Sequence, residues 1–361
     1  MSDTSTGDTG KPTKQLEDDL SGVMGQLSVT AVSSDNSSSS SKNLSDMPFD
    51  VVGLIIERSD YKEQLKLRKT SKSLRALVDK QKPACKSIKV DCYTKKVEIT
   101  FNNHSVIYAN REYQVGFRDS GIVVRSDDFK KTALDDLSSA LQNPKLQLDE
   151  LSFCFRCSFQ KDIKEYYNKI QKVLEPLNHQ LSVKKVELHV LSPSTLLSIL
   201  PCLKPGYLER IKLRLHDSLL LFEFVNWQID STGMDQVALL EQWKQAEELV
   251  LLDSVDRFPL EYAAHFKRFR IFEDDIEPYK FNHIKNFLSK LDNFEHCTLY
   301  FLMDSTGPDS TIGQLGEPVF RNTTEAIFHH PIPDSDYYFE IKNATGTFHL
   351  EIKKKKRGIH S

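Results

Sequence analysis

Glycine is scarce here: fourteen scattered residues in a chain of 361, about half the usual share. Without a glycine cluster there is no phosphate-cradling loop, and neither a nucleophile elbow nor a zinc-protease motif occurs. Charge of one sign is lacking as well. Lys and Arg (48) nearly balance Asp and Glu (51), and the formal net charge of −3 excludes a dedicated nucleic-acid binder, which carries a strong basic excess. The greasiest run, Leu219 to Val225, is far shorter than the roughly 20 residues a membrane span needs. No apolar N-terminal stretch suits a signal peptide, so the expectation is a soluble intracellular chain, cytoplasmic and/or nuclear, with no membrane partner. Six cysteines, at 85, 92, 154, 157, 202 and 297, show no framework spacing, which fits free thiols in a reducing compartment.

Two short motifs invite a metal reading and do not sustain it. Cys154-Phe-Arg-Cys157 is a C-x-x-C, but residues three apart on a strand face opposite ways, and the sequence offers no second pair or nearby histidine to complete a tetrahedral site. Core filling is the expectation for Cys157. His329-His330-Pro331 also diverges in an extended stretch and reads as loop histidines. Asp135-Asp136, beside Leu134 and Leu137, reads as the solvated face of a short helix. No cofactor, metal or catalytic residue is expected, and the chain is read as non-enzymatic by itself.

What is present is concentrated between Leu44 and Val78. Pro48 sits where a first-turn proline belongs, since its missing N–H is one that a helix start leaves unsatisfied anyway, and Asp50 adds negative charge to that turn. Met47, Val51, Val52, Ile55 and Ile56 follow at helical spacing and form one apolar face. Asp60 with Glu63 forms a capping-box signal ahead of Leu65 and Leu67, and a third helix carries Leu74, Leu77 and Val78 before Lys82-Pro83 stops it. Three helices of this size bury little and want a partner surface.

This segment resembles the F-box, whose pattern opens with Leu-x-x-Leu/Met-Pro and an acidic residue two places on, the positions of Leu44, Met47, Pro48 and Asp50. Thr70 and Ser71 depart from it where an apolar residue and a cysteine are usual, and Leu74 replaces a common aromatic. The resemblance implies docking on a Skp-type adaptor, and through it a cullin. The implied contacts are Leu44, Met47, Pro48, Asp50, Val51, Val52, Ile55, Ile56, Leu65, Leu67, Leu74 and Leu77. Three ordinary core helices of a larger domain are the alternative.

Residues 1–43 are rich in Ser, Thr, Asp and Gly, with Ser37 to Ser41 in one run, and read as a disordered arm. Beyond the F-box-like segment at 44–83, a β-meander is expected over 84–130, through Ser87–Tyr93, Lys96–Phe101 and Ser105–Tyr108, with Asn102-Asn103 at a tight turn. Thr132 to Leu141 reads as a helix. Strand cores then recur at Leu151–Phe155, Val186–Val190, Ile211–Leu215, Leu249–Leu252, Phe269–Phe272 and Thr298–Phe301, with helical patterns between them such as Ile163 to Leu174 and Phe281 to Leu291. Strands alternating with helices imply parallel pairing.

This order resembles the nematode-expanded F-box A proteins that carry an FTH domain. Asp135-Asp136-Leu137, Asn143-Pro144-Lys145-Leu146 and the stretch from Phe328 to Ile341 carry that resemblance. The fold class read is α/β: a short all-α F-box, a small β-meander, and a curved, leucine-rich-repeat-like strand–helix repeat domain over 131–352. Lys353-Lys-Lys-Lys-Arg357 begins a basic tail over 353–361, either a nuclear-import signal or simply solvated.

Strand alternation sorts Arg156, Glu187, His189, Lys212, Arg214, Arg270 and Tyr300 onto one polar sheet face, which would suit an acidic or phosphorylated peptide, although exposed charges that only solvate a sheet would look the same. The reading is a substrate-recognition subunit of a Skp–cullin–F-box ubiquitin ligase, with an unknown protein as substrate. Its rivals are a repeat scaffold for protein–protein interaction without ubiquitin ligation, and a hydrolase or transferase hidden in the α/β portion.

Overall fold

The computed structural model describes residues 47–116, 121–157, 160–190, 192–215, 231–252, 258–273, 278–301, 315–344 and 349–357. The expected disordered arm and Leu44 lie outside them. Two compact units divide the chain, residues 1–58 and 59–361.

The described part of the first unit is helix α1 (Phe49–Arg58). The Pro48 carbonyl accepts from the amides of Val51 and Val52 at 3.0 and 3.1 Å and so closes the first turn. Val52 and Ile56, four apart, are buried, whereas Phe49, Val51 and Leu54 are exposed and Ile55 is half-buried. The five-residue apolar face read from spacing is therefore split, since Val51 lies off the inward stripe of Val52 and Ile56.

The second unit starts with α2 (Tyr61–Thr70), whose capping box is complete: Glu63 N–H donates to Asp60 Oδ1 at 2.8 Å and Asp60 N–H to Glu63 Oε2 at 3.2 Å. Ser71, unusual for the F-box pattern at that position, caps α3 (Lys72–Lys80) by accepting from Leu74 N–H at 3.1 Å. These two helices are tied to the strands and loops C-terminal to them. Tyr61 is buried in the main core with its ring 5.4 Å from Phe101, Gln64 Oε1 accepts from Ala84 N–H at 2.9 Å, and Lys82 reaches Gln147 at 2.6 Å. The division between compact units falls at 58/59, inside the F-box-like segment.

Among the described residues one fourteen-stranded sheet carries the rest. Its strands are β1 (Ser87–Cys92), β2 (Lys96–Phe101), β3 (His104–Ala109), β4 (Ile122–Arg125), β5 (Gln147–Phe155), β6 (Ser182–Val190) and β7 (Arg210–Leu215), then β8 (Glu248–Leu251), β9 (Arg268–Glu273), β10 (His296–Phe301), β11 (Phe320–Arg321), β12 (Glu325–Pro331), β13 (Tyr337–Ala344) and β14 (His349–Lys356). They lie in the order β11-β12-β13-β14-β10-β9-β8-β7-β6-β5-β1-β2-β3-β4. From β1 through β5 to β10 every neighbouring pair is parallel, as strand–helix alternation predicts. The helices between include α4 (Phe129–Leu141), α5 (Gln160–Leu174) and α6 (Pro278–Ser289), and their apolar faces meet the core side of the strands. The meander is continuous with this sheet: β1–β2–β3 are antiparallel neighbours, and Asn102 makes their second turn at φ 54°. Its amide side chain accepts from the Lys86 and Ser87 N–H groups and donates to the Ala84 carbonyl, pinning the chain that leads out of α3.

Two sequence expectations fail at the far edge. Lys353 to Lys356 are not a tail but the end of β14, where Lys353 pairs with His296 on one side and Glu340 on the other. Leu350 and Ile352, both buried, anchor that strand, and the lysines after them mask its alternation. His329 and His330 lie in β12 rather than in a loop, with His329 exposed and its ring 4.4 Å from Tyr338.

Candidate functional site

Each parallel strand presents alternate residues to opposite faces. Val186, Leu188, Ile211, Leu213, Phe269 and Ile271 are buried on the helix side, and the residues between them form a polar face. Register aligns that face in rows across the sheet. Lys185, Arg210, Glu248, Arg268 and His296 stand side by side, and Arg268 and His296 border a cavity of about 250 Å³ with Arg270. The Glu248 side chain is nearly buried between two guanidiniums: Arg210 donates from Nε at 2.7 Å and Nη2 at 2.6 Å to Oε2, and Arg270 from Nε at 2.9 Å to Oε1.

The seven expected face residues meet different fates. Lys212 Nζ donates to Glu187 Oε2 at 3.0 Å on the neighbouring strand, so these two are brought together. Arg270 joins the cavity. Tyr300 stacks on Phe272 with centroids 4.4 Å apart and planes 10° apart, and His349 follows at 5.8 Å. Arg214 is exposed at the end of β7. Arg156 stands apart, bound at 3.0 Å to buried Asp91, and that bond raises its pKa further. His189 is a correction, because it is buried rather than presented. The β5–β6 ladder ends at Phe153↔Leu188, so on its β6 side the Phe155 amide meets a side chain instead of backbone: His189 Nδ1 accepts it at 3.2 Å.

Spacing alone missed Lys185, Arg210, Glu248 and Phe272. Arg210 is two residues before Lys212 and so on the same face, a signal that was available; Glu248 could be placed only by strand register.

Register also gives Cys154 the neighbours its own sequence lacks. Its Sγ, a Glu187 carboxylate oxygen and a His189 nitrogen lie within 4.8 Å of one another. The group is satisfied as it stands. The thiol donates to Glu187 at 3.9 Å with its pKa raised by burial, Lys212 occupies the other Glu187 oxygen, and the Phe155 amide fixes the His189 ring. Cys157 is buried as core filling, its pKa pushed up by burial to about 12. Among the described residues no helix is long and apolar enough to cross a membrane.

Comparison with known proteins agrees with both halves of this architecture. A family model for the F-box domain matches residues 44–86 and one for the FTH domain matches residues 164–312. F-box A protein 224 of Caenorhabditis elegans is 20% identical over 305 residues, covering 81% of this chain and 75% of that protein. F-box A protein 155 of the same organism is 26% identical over 259 residues, covering 63% of this chain and 59% of the relative. An F-box over residues 44–86 followed by an FTH domain over residues 164–312 makes the chain an F-box protein with an FTH domain, similar to the F-box A proteins of Caenorhabditis elegans.

Proposed function

We propose that the chain is the substrate-recognition subunit of a Skp–cullin–F-box ubiquitin ligase, non-catalytic by itself, working in the cytoplasm and/or nucleus ahead of proteasomal degradation. F-box domains in general dock on Skp-type adaptors, and the observation that carries the reading here is the apolar set on α1. Phe49 is 69% exposed, Leu54 56% and Val51 42%, on a helix inside the segment that matches the F-box. Large apolar side chains left in water on one short element mark an interaction surface.

The parallel strand–helix succession from β5 to β10 is read as a curved, leucine-rich-repeat-like array whose polar face takes the cargo. Its mechanism is proximity: holding a target lysine beside a charged ubiquitin-conjugating enzyme replaces a rare encounter with an effectively intramolecular one. The test is co-purification with a Skp-type adaptor. Phe49→Ala with Leu54→Ala should lose the adaptor and leave the thermal midpoint nearly unchanged, because both side chains are exposed. A folded double variant that captures as much adaptor as wild type would overturn the docking assignment.

A further inference from the structure

We propose that the cavity on the polar face takes the carboxylate of a glutamate or aspartate in an extended peptide, and that the rings of Phe272, Tyr300 and His349 take a large apolar side chain two residues along that peptide. This rests on the reading that cargo binds the polar face, and names its chemistry.

The cavity donors are fixed and partly unspent. Glu248 uses both carboxylate oxygens to hold Arg210 and Arg270. Among the described residues, the Nη groups of Arg270 and the ammonium of Lys185 have no ion-pair partner, so one planar fork and one ammonium remain for a ligand. Charge decides which anion. Arg268 is already held by Glu247 at 2.9 Å and Glu295 at 3.4 Å. Of the other lining groups, Lys185, Arg210 and Arg270 face Glu209 and Glu248, three cations against two carboxylates, an excess of one. A single carboxylate balances that excess, whereas a phosphomonoester, carrying about −1.5 to −2 at neutral pH, would overfill it. Size agrees: about 250 Å³ lies below the roughly 300–1,000 Å³ of small-molecule sites and suits the head of one side chain.

The second determinant is the ring ladder. Phe272 of β9 stacks on Tyr300 of β10, with His349 of β14 next to it, and all three are half-buried. They stand two residues beyond Arg270, Thr298 and Glu351 on the same face, about 7 Å away at strand rise. That is the separation of alternate side chains in an extended peptide lying along the strands.

The experiment passes three degenerate peptide libraries over the immobilised full chain, with Glu, Gln or phosphoserine fixed at the centre. The Glu library should be retained at least tenfold over the Gln library, and its bound pool should be enriched in Leu, Phe, Tyr or Trp two residues from the fixed position. Lys185→Glu, at a half-buried site with no ion pair to break, should keep its melting temperature and lose that retention. Tyr300→Gln should keep the Glu preference and lose the apolar enrichment. Equal retention of Glu and Gln libraries, preference for phosphoserine, or a folded Lys185→Glu variant that binds unchanged would each overturn the proposal. Reversing charge at Lys212 and Arg214, which stand on the face outside the cavity, distinguishes failure of the cavity from failure of the face. If that double variant loses cargo while the libraries show no Glu preference, the face reading stands and the carboxylate inference falls. If it keeps its cargo while Glu retention still depends on Lys185, the cavity stands and the face reading falls.

Discussion

Strand β9 carries two chemistries one residue apart. Phe269 and Ile271 are fully buried against the helices, while Arg268, Arg270 and Phe272 stand on the opposite face, half-buried or exposed. The same contrast recurs on β7, where Ile211 and Leu213 are buried and Arg210, Lys212 and Arg214 are not, and the placement of charge sharpens it. On the polar face Glu187 meets Lys212 at 3.0 Å with the lysine side chain 34% exposed. On the helix side Glu273, its side chain fully buried, meets Lys280 of α6 at 3.3 Å. Two ion pairs of similar length thus sit in different dielectrics, and length says little about what each contributes. On the polar face the nearly buried charge is Glu248, held between Arg210 and Arg270.

The sharpest break in that comparison is to remove the lysine from each pair. Lys280→Ala leaves the charge of Glu273 in the core without its ammonium and should cost about 3–5 kcal/mol, whereas Lys212→Ala should cost less than about 1 kcal/mol because water screens that pair. Denaturant unfolding of the two variants measures the difference. Equal losses would mean that the two faces do not differ in burial as described.

A smaller change probes packing alone. Ile271→Val deletes one methylene from the helix side of β9 and should cost about 0.5–1.5 kcal/mol, while Lys353→Gln on the exposed side of β14 should stay within about 0.5 kcal/mol of wild type. The midpoint of urea unfolding reads both, and its slope should not change, since neither variant alters the surface exposed on unfolding.

The faces also explain which parts of the molecule could be read from sequence. Val186–Val190, Ile211–Leu215 and Phe269–Phe272 announce themselves because parallel strands covered by helices need dense apolar alternation. The helices at Ile163–Leu174 and Phe281–Leu291 do so because their stripes recur at helical spacing. In the antiparallel β12–β14 edge the apolar positions are diluted: β14 has only Leu350 and Ile352 before four lysines, and β12 contains two histidines and Pro331. The first F-box helix was legible in position but not in orientation, since Val52 and Ile56 turn inward while the overlooked Phe49 and Leu54 stay exposed. The cavity was illegible for a different reason. Arg210, Glu248 and Arg270 are 38 and 22 residues apart in sequence, and only strand register sets them side by side.

The smallest expected effect concerns protons. His265 is half-buried beside Phe266, 4.1 Å between centroids, and its Nε2–H donates to the Trp243 carbonyl at 2.7 Å. Burial holds its pKa below the ordinary 6.5, against the raising effect of that carbonyl. His296 and His330 are shifted the same way, again chiefly by burial. Between the folded and unfolded pKa values the unfolded chain binds more protons, so the stabilising contribution of these neutral rings is full above about 6.5 and is lost as pH falls through the folded values. The thermal midpoint should therefore decline as pH drops from 7.5 to 5. His265→Gln, which keeps a donor for the Trp243 carbonyl but cannot take up a proton, should flatten part of that decline and leave the share of the other two histidines. An unchanged slope in the variant would show that His265 is as readily protonated folded as unfolded, and that the core around Trp243 is wetter than its burial implies.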